Sequence, residues 1–187
     1  YIRIVDGMPT ARSLVSVLEH GAVANLEPLR GRLHDEFTPE VLWRVAQRHA
    51  AGARLFVGAV DVDTGQAVAF DLGEMASRYF ESSGALPPAG TPETTDQMRI
   101  RDCYVSAVLA SSSAPLAAQP VLIDTRMYVD GGARFGMFSD EIGGVINDEV
   151  REISSVPPRT DVYLIVNGTL LTSEQCGKAA PVTCPPY

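Results

Sequence analysis

The segment Tyr128-Val129-Asp130-Gly131-Gly132 is the strongest chemical signal in the chain. An apolar strand end delivers a carboxylate, and two glycines let the backbone turn sharply with little steric hindrance. That pattern puts Asp130 at a sheet edge, where α/β sites commonly lie. Asp130 is therefore a candidate acid or base, and Gly131 and Gly132 shape the approach to it. Aspartate and glycine also dominate ordinary turns, so the tripeptide alone reads first as a turn.

The chemistry that could surround this carboxylate is narrowed by what is missing. The sequence has no Gly-x-Ser-x-Gly, hence no nucleophile elbow, and no glycine-rich phosphate loop of either common type. His20, His34 and His49 all precede the first core strand, and none follows Asp130, so a Ser-acid-His order is not met. Ser111, Ser112 and Ser113 sit at a helix end without an elbow pattern and read as structural. Asp61-Val62-Asp63-Thr64-Gly65 is similar to the opening of a calcium loop, but Leu72 stands where the closing glutamate belongs, so a hairpin turn is expected.

Cys176 and Cys184 could close a small tail loop in an oxidising compartment, or be two unrelated thiols. With Cys103 on an apolar helix, no second Cys/His pair has ligand spacing, and no metal site is expected. Asn167-Gly168-Thr169 matches a glycosylation sequon. Arg- and Ala-rich usage suggests a bacterial source, where the sequon carries no meaning. Tyr79, Phe80, Met98 and Tyr104 could line an acyl channel, but core or loop packing is the expected role.

The elements that must position these residues follow from periodicity and punctuation. Residues 1–53 read as a helical segment, with an apolar cluster at Leu14, Val15, Val17 and Leu18. A second helix there has Thr38 as N-cap, Pro39 at its first position and Gly52 past its end. Residues 54–175 read as core strands and helices. Leu55 to Val60 forms a strand buried on both faces, and Ala67 to Phe70 its hairpin return. Residues 82–97 are an exposed loop. Helix resumes near Met98 and ends by Pro115, and Val121-Leu122-Ile123 and Met127-Tyr128-Val129 flank a turn. A helix carrying Ile142, Val145, Ile146, Val150 and Ile153 and a buried strand Val162 to Val166 come next. Residues 176–187 are a Pro-containing tail. Mixed helices with short, fully apolar strands argue for α/β with a covered sheet.

Composition excludes several partners. The 187 residues are 45% hydrophobic and 20% charged, enough apolar content for a sizeable core. Fifteen basic against 23 acidic residues leave a net charge of −8, so nucleic acid and anionic membrane surfaces are poor partners. The uncharged run Cys103–Ile123 contains Ser, Gln and Pro and reads as helix plus loop, not as a membrane span. The opening Tyr1-Ile2-Arg3 leads to the expectation of a processed or truncated product.

Three segments in order carry a resemblance: Arg54 to Phe70, Val108-Leu-Ala-Ser-Ser-Ser-Ala-Pro115, and Tyr128 to Gly132. They resemble the patatin-like phospholipase family: its core-strand hairpin, its helix ending in a Ser-Ala-Pro turn, and its Asp-Gly-Gly box. The match covers residues 35–135 well and the rest loosely. The resemblance implies a three-layer α/β/α fold with a mostly parallel sheet, of which this chain is the C-terminal part. It further implies a lipid acyl hydrolase of phospholipase or esterase type, using a Ser–Asp dyad with Asp130 as acid/base and no metal or organic cofactor. The family's nucleophilic serine and oxyanion loop are missing here and are expected on an upstream segment of the same protein. Membrane contact is expected to be peripheral, through apolar loops, and a secreted, periplasmic or membrane-associated location is favoured over the cytoplasm. The rival expectations are a catalytically inactive patatin-like binding domain and, more remotely, a calcium-dependent extracellular domain built on Asp61 and Asp63.

Overall fold

A computed structural model describes residues 10–11 and 24–134, all within the first of the two units into which the chain divides, Tyr1–Ser139. Strands β1 (Thr10–Ala11) and β2 (Ala24–Asn25) pair antiparallel. Two helices follow, α1 (Glu27–Glu36) and α2 (Pro39–Ala50). As the sequence predicts, α2 starts at Thr38-Pro39, and Gly52 lies just past its end at φ 91°, a conformation that favours glycine. Its one apolar stripe buries Leu42 and Ala46.

Strands β3 (Phe56–Asp61) and β4 (Ala67–Asp71) form the expected hairpin. Ala59 and Val60 point to opposite faces of β3 and both are buried, as a doubly covered strand requires. The chain passes directly from β4 into α3 (Leu72–Tyr79), a helix the sequence reading missed. The signal was present: Asp71 accepts a hydrogen bond from Glu74 N at 2.9 Å, the Asp-x-x-Glu start of a helix too short to show a full period. Helix α4 (Thr95–Ala110) begins inside the segment read as loop. Thr94 and Gln97 close a capping box there, each accepting from the other's backbone N–H. The second hairpin, β5 (Val121–Ile123) and β6 (Arg126–Asp130), runs into a single 3-10 turn, Gly131–Ala133.

The sheet order is β4-β3-β6-β5. Mixed α/β architecture is therefore as expected, but the parallel sheet is not: all three pairings here are antiparallel. Two of them are hairpins, whose connections are far too short for the crossover that parallel strands need. Leu55, expected in the buried strand, precedes β3 and is exposed, whereas Ala59 and Val60 are covered on opposite faces, and coverage does not set strand direction. The three-layer arrangement is likewise not formed by the described residues. The predicted helix at 142–153, the strand at 162–166, the Leu14–Leu18 cluster and the boundary at 175/176 lie outside them.

Two apolar clusters share α4. One joins Leu42 and Ala46 of α2, Leu72, Ala76 and Tyr79 of α3, and Tyr104 and Ala107 of α4. The other sets Val105, Leu109 and Ala110 of α4 on Ala59, Val121, Ile123 and Tyr128 of the sheet. Edge-on aromatic pairs, Phe37–Tyr104 at 5.0 Å and Phe70–Tyr128 at 5.3 Å, reinforce both. No described helix is long and apolar enough to cross a membrane.

The α2–α3 contact requires glycine at 73, because a Cβ there would stand 2.3 Å from His49 Nδ1. Gly73→Ala is expected to cost about 1–3 kcal/mol through overpacking. His49→Ala opens that space, so the pair is expected to show a coupling of about 0.5–3 kcal/mol in a denaturant-unfolding double-mutant cycle.

Candidate functional site

Strand β6 carries Asp130 to its last position, opposite Ala59 of β3. The Asp130 backbone N–H donates to the carbonyl of Ser113 at 2.9 Å. One hydrogen bond thus ties the Asp-Gly-Gly box to the serine-rich turn after α4, two segments that sequence order alone keeps apart. Asp130 Oδ1 accepts from Gly132 N at 2.8 Å, and Arg134 N closes the 3-10 turn onto Gly131 O at 3.2 Å. Gly131 is buried. Gly132 avoids the left-handed region, and its role is close approach: a Cβ would lie 3.3 Å from Asp130 Oδ1.

Asp130 itself is half-buried. Its Oδ1 is held, while Oδ2 has no hydrogen-bond partner among the described residues. A carboxylate with one oxygen anchored and the other open can accept a proton from a group brought beside it.

The neighbouring serines are committed elsewhere. Ser112 Oγ donates to Val108 O at 3.0 Å, and the fully buried Ser113 Oγ to Leu109 O at 2.7 Å. Both bond back to their own helix, the structural role expected of them. His34 faces Asp102 at 3.0 Å and His49 lies between Asp71 and Glu74, so neither joins Asp130. Burial pushes the Cys103 thiol above its ordinary range, with Asp124 and Asp102 adding to the effect, so it is a protonated thiol at neutral pH. Tyr79, Phe80 and Tyr104 are core residues and Met98 is exposed, so the four line no common channel. Burial raises the Tyr104 phenol to about 12, beyond use in proton transfer near neutrality.

A second carboxylate on the same sheet is a structural latch. Asp61, 1% exposed, accepts on Oδ1 from Asp63 N at 2.9 Å and Thr64 N at 3.1 Å, and on Oδ2 from Arg126 at 2.8 Å. It pins the β3–β4 turn and clamps β6 to β3. Both oxygens are occupied, as the hairpin-turn reading of this segment requires. The turn was legible from its Asp-Thr-Gly residues, but nothing in the sequence announced Arg126 as its partner. No described group of three His, Cys, Asp or Glu side chains is arranged to hold a metal ion. The tail cysteines and the sequon at Asn167 lie outside the described residues. Comparison of the chain with protein families, with curated proteins and with solved structures yields no significant match.

Burial works against the Asp61 charge, but the Thr64 amide, Arg126 and the Asp63 amide outweigh it and hold the carboxyl below its ordinary range. A carboxyl depressed on folding contributes stability that is present above its unfolded pKa of about 4 and is lost as pH falls through the folded value. Asp61→Asn is therefore expected to lower the melting temperature at pH 7 and to flatten the loss of stability below about pH 4, as read by thermal unfolding across pH.

Proposed function

We propose that this chain belongs to a patatin-like lipid acyl hydrolase in which Asp130 is the acid/base of a Ser–Asp dyad. The observation that carries the reading is the 2.9 Å hydrogen bond from Asp130 N to Ser113 O. It joins two of the three family-like segments of the sequence, and the carboxylate so positioned keeps Oδ2 open. The nucleophilic serine is supplied by a segment upstream of Tyr1. In the proposed fold β4-β3-β6-β5 is the antiparallel part of a larger sheet.

The reaction then follows from the pair. The serine Oγ attacks the ester carbonyl while its proton passes to Asp130 Oδ2. Backbone amides of a glycine-rich loop on the serine's segment stabilise the oxyanion. Collapse of the intermediate releases the alcohol, which takes the proton from Asp130, and leaves an acyl-enzyme. Water, deprotonated by Asp130, attacks that acyl group; the serine Oγ then leaves, taking the proton back from Asp130, and the acid is released. An aspartate is a weak base, so it needs a short, partly desolvated contact with the hydroxyl, and the half-buried setting of Asp130 suits that. The substrate class is a phospholipid or lysophospholipid, or a neutral lipid or short ester of the same acyl chemistry. No metal or organic cofactor is invoked.

A second reading is an inactive domain of the same family retained for binding: Ser112 and Ser113 spend their hydroxyls on α4 carbonyls, so neither can stand in for an upstream nucleophile. The two readings part on one experiment. The protein carrying its upstream segment is treated with a fluorophosphonate serine-hydrolase probe and assayed on a short-chain ester. The hydrolase reading expects labelling of an upstream serine, and Asp130→Asn is expected to lower labelling and turnover by about 10²–10⁴-fold with the unfolding midpoint little changed. A protein that takes no label overturns the dyad and leaves the binding domain, whereas labelling that ignores Asp130→Asn overturns Asp130 as the partner of the serine.

A further inference from the structure

We infer that the pocket beside the C-terminal half of α2 binds an anionic amphiphile, a medium-chain fatty carboxylate, with Arg44 and Arg48 holding the head group. The pocket has a volume of about 290 Å³, just under the roughly 300–1,000 Å³ usual for small-molecule sites. Val41, Val45, Ala53 and Leu55 give it an apolar lining. Leu55 is 46% exposed there, a large apolar side chain left open to water. On α2, Val41, Arg44, Val45 and Arg48 recur at three-and-four spacing, so apolar and cationic groups alternate along one face.

The charge pattern selects the ligand. In a chain of net charge −8, most of the described arginines are paired. Arg30, Arg32, Arg78, Arg99, Arg101 and Arg126 each have a carboxylate within 4 Å. Arg44 and Arg48 enter no ion pair among the described residues, although they stand one turn apart and repel each other. Arg48 gains from the helix C-terminus, which accounts for one charge there but not for two. The Glu40 carboxyl, held below its ordinary range first by Thr38 and its own backbone and last by Arg44, is the acidic group that feels Arg44.

The carboxylates near His49 are committed. Asp71 caps α3, and Glu74 pairs with Arg78 at 3.0 Å and approaches His49 at 3.6 Å. Arg54 donates to the carbonyls of His49 and Ala53, both at 3.2 Å, and so builds the pocket wall. Two guanidinium forks over an apolar lining match one carboxylate on an aliphatic chain, because guanidinium binds carboxylate through paired N–H donors. No residue of this pocket belongs to the Asp130 site, so the proposal does not depend on the hydrolase reading.

The test is calorimetric titration of the whole chain with decanoate at low ionic strength, below its micelle concentration. Decanol supplies the chain without the charge, and acetate the charge without the chain. Decanoate is expected to bind at least about tenfold more tightly than either comparator, since charge-assisted hydrogen bonds and apolar burial each contribute on that scale. Arg44→Gln/Arg48→Gln is expected to weaken decanoate about tenfold or more while leaving decanol and the unfolding midpoint unchanged, as both side chains are exposed. Added salt is expected to weaken decanoate only. Equal affinity of the double variant for decanoate, decanol bound as tightly as decanoate, or no decanoate binding up to the micelle limit overturns the proposal. Decanoate binding by a protein that takes no fluorophosphonate label would uphold this site and reject the hydrolase.

Discussion

The burial of α4 on two sides is the constraint on which the rest depends. Tyr104 and Ala107 belong to the helical cluster, whereas Val105, Leu109 and Ala110 belong to the cluster on the sheet. The second half of α4, from Tyr104 to Ala110, is buried almost all round and must sit between other elements, while its first half keeps Asp96, Arg99 and Asp102 in solvent. Its end, not its middle, delivers the candidate site. The chain leaves Ala110, turns through the serines and offers the Ser113 carbonyl to Asp130. Loosening α4 would therefore disturb both clusters and the Asp130 backbone together.

The two sheet carboxylates show how tertiary context separates like residues. Asp61 and Asp130 each end a strand, and each accepts on Oδ1 from the amide two residues on, at 2.9 and 2.8 Å. Locally they share that bond, although Asp61 opens a hairpin loop and Asp130 a 3-10 turn. Asp61 is then closed over and its second oxygen given to Arg126, which makes it a clamp between hairpins. Asp130 remains half-buried with Oδ2 open, and can take part in chemistry. A side chain whose acceptors are all filled stabilises the fold, while one with an acceptor left over is free to exchange a proton.

The arginines divide in the same manner. Arg101, which meets Glu93 at 2.6 Å while Tyr79 donates to the other oxygen of Glu93 at 2.5 Å, belongs to an interior network that pins the 81–94 segment to α4. Arg44 and Arg48 have the same chemistry but form no ion pair among the described residues, and they lie over an apolar depression. Residue type is equal in the two cases, and the partner decides between structure and binding.

The sequence by itself determined those features whose cause is local. The N-cap and Pro at 38–39, the Gly after α2, the two hairpins and the carboxylate at the end of β6 rest on neighbours within a few residues, so spacing and turn chemistry sufficed. Helix α3 is also local, in its Asp71–Glu74 start, but eight residues give too little periodicity to outweigh the strand beside it. The antiparallel order β4-β3-β6-β5, the clamp between Asp61 and Arg126 and the tie between Ser113 and Asp130 were decided by tertiary structure alone. Each joins groups far apart in the chain, and side-chain alternation records which face is covered without recording which strand lies alongside.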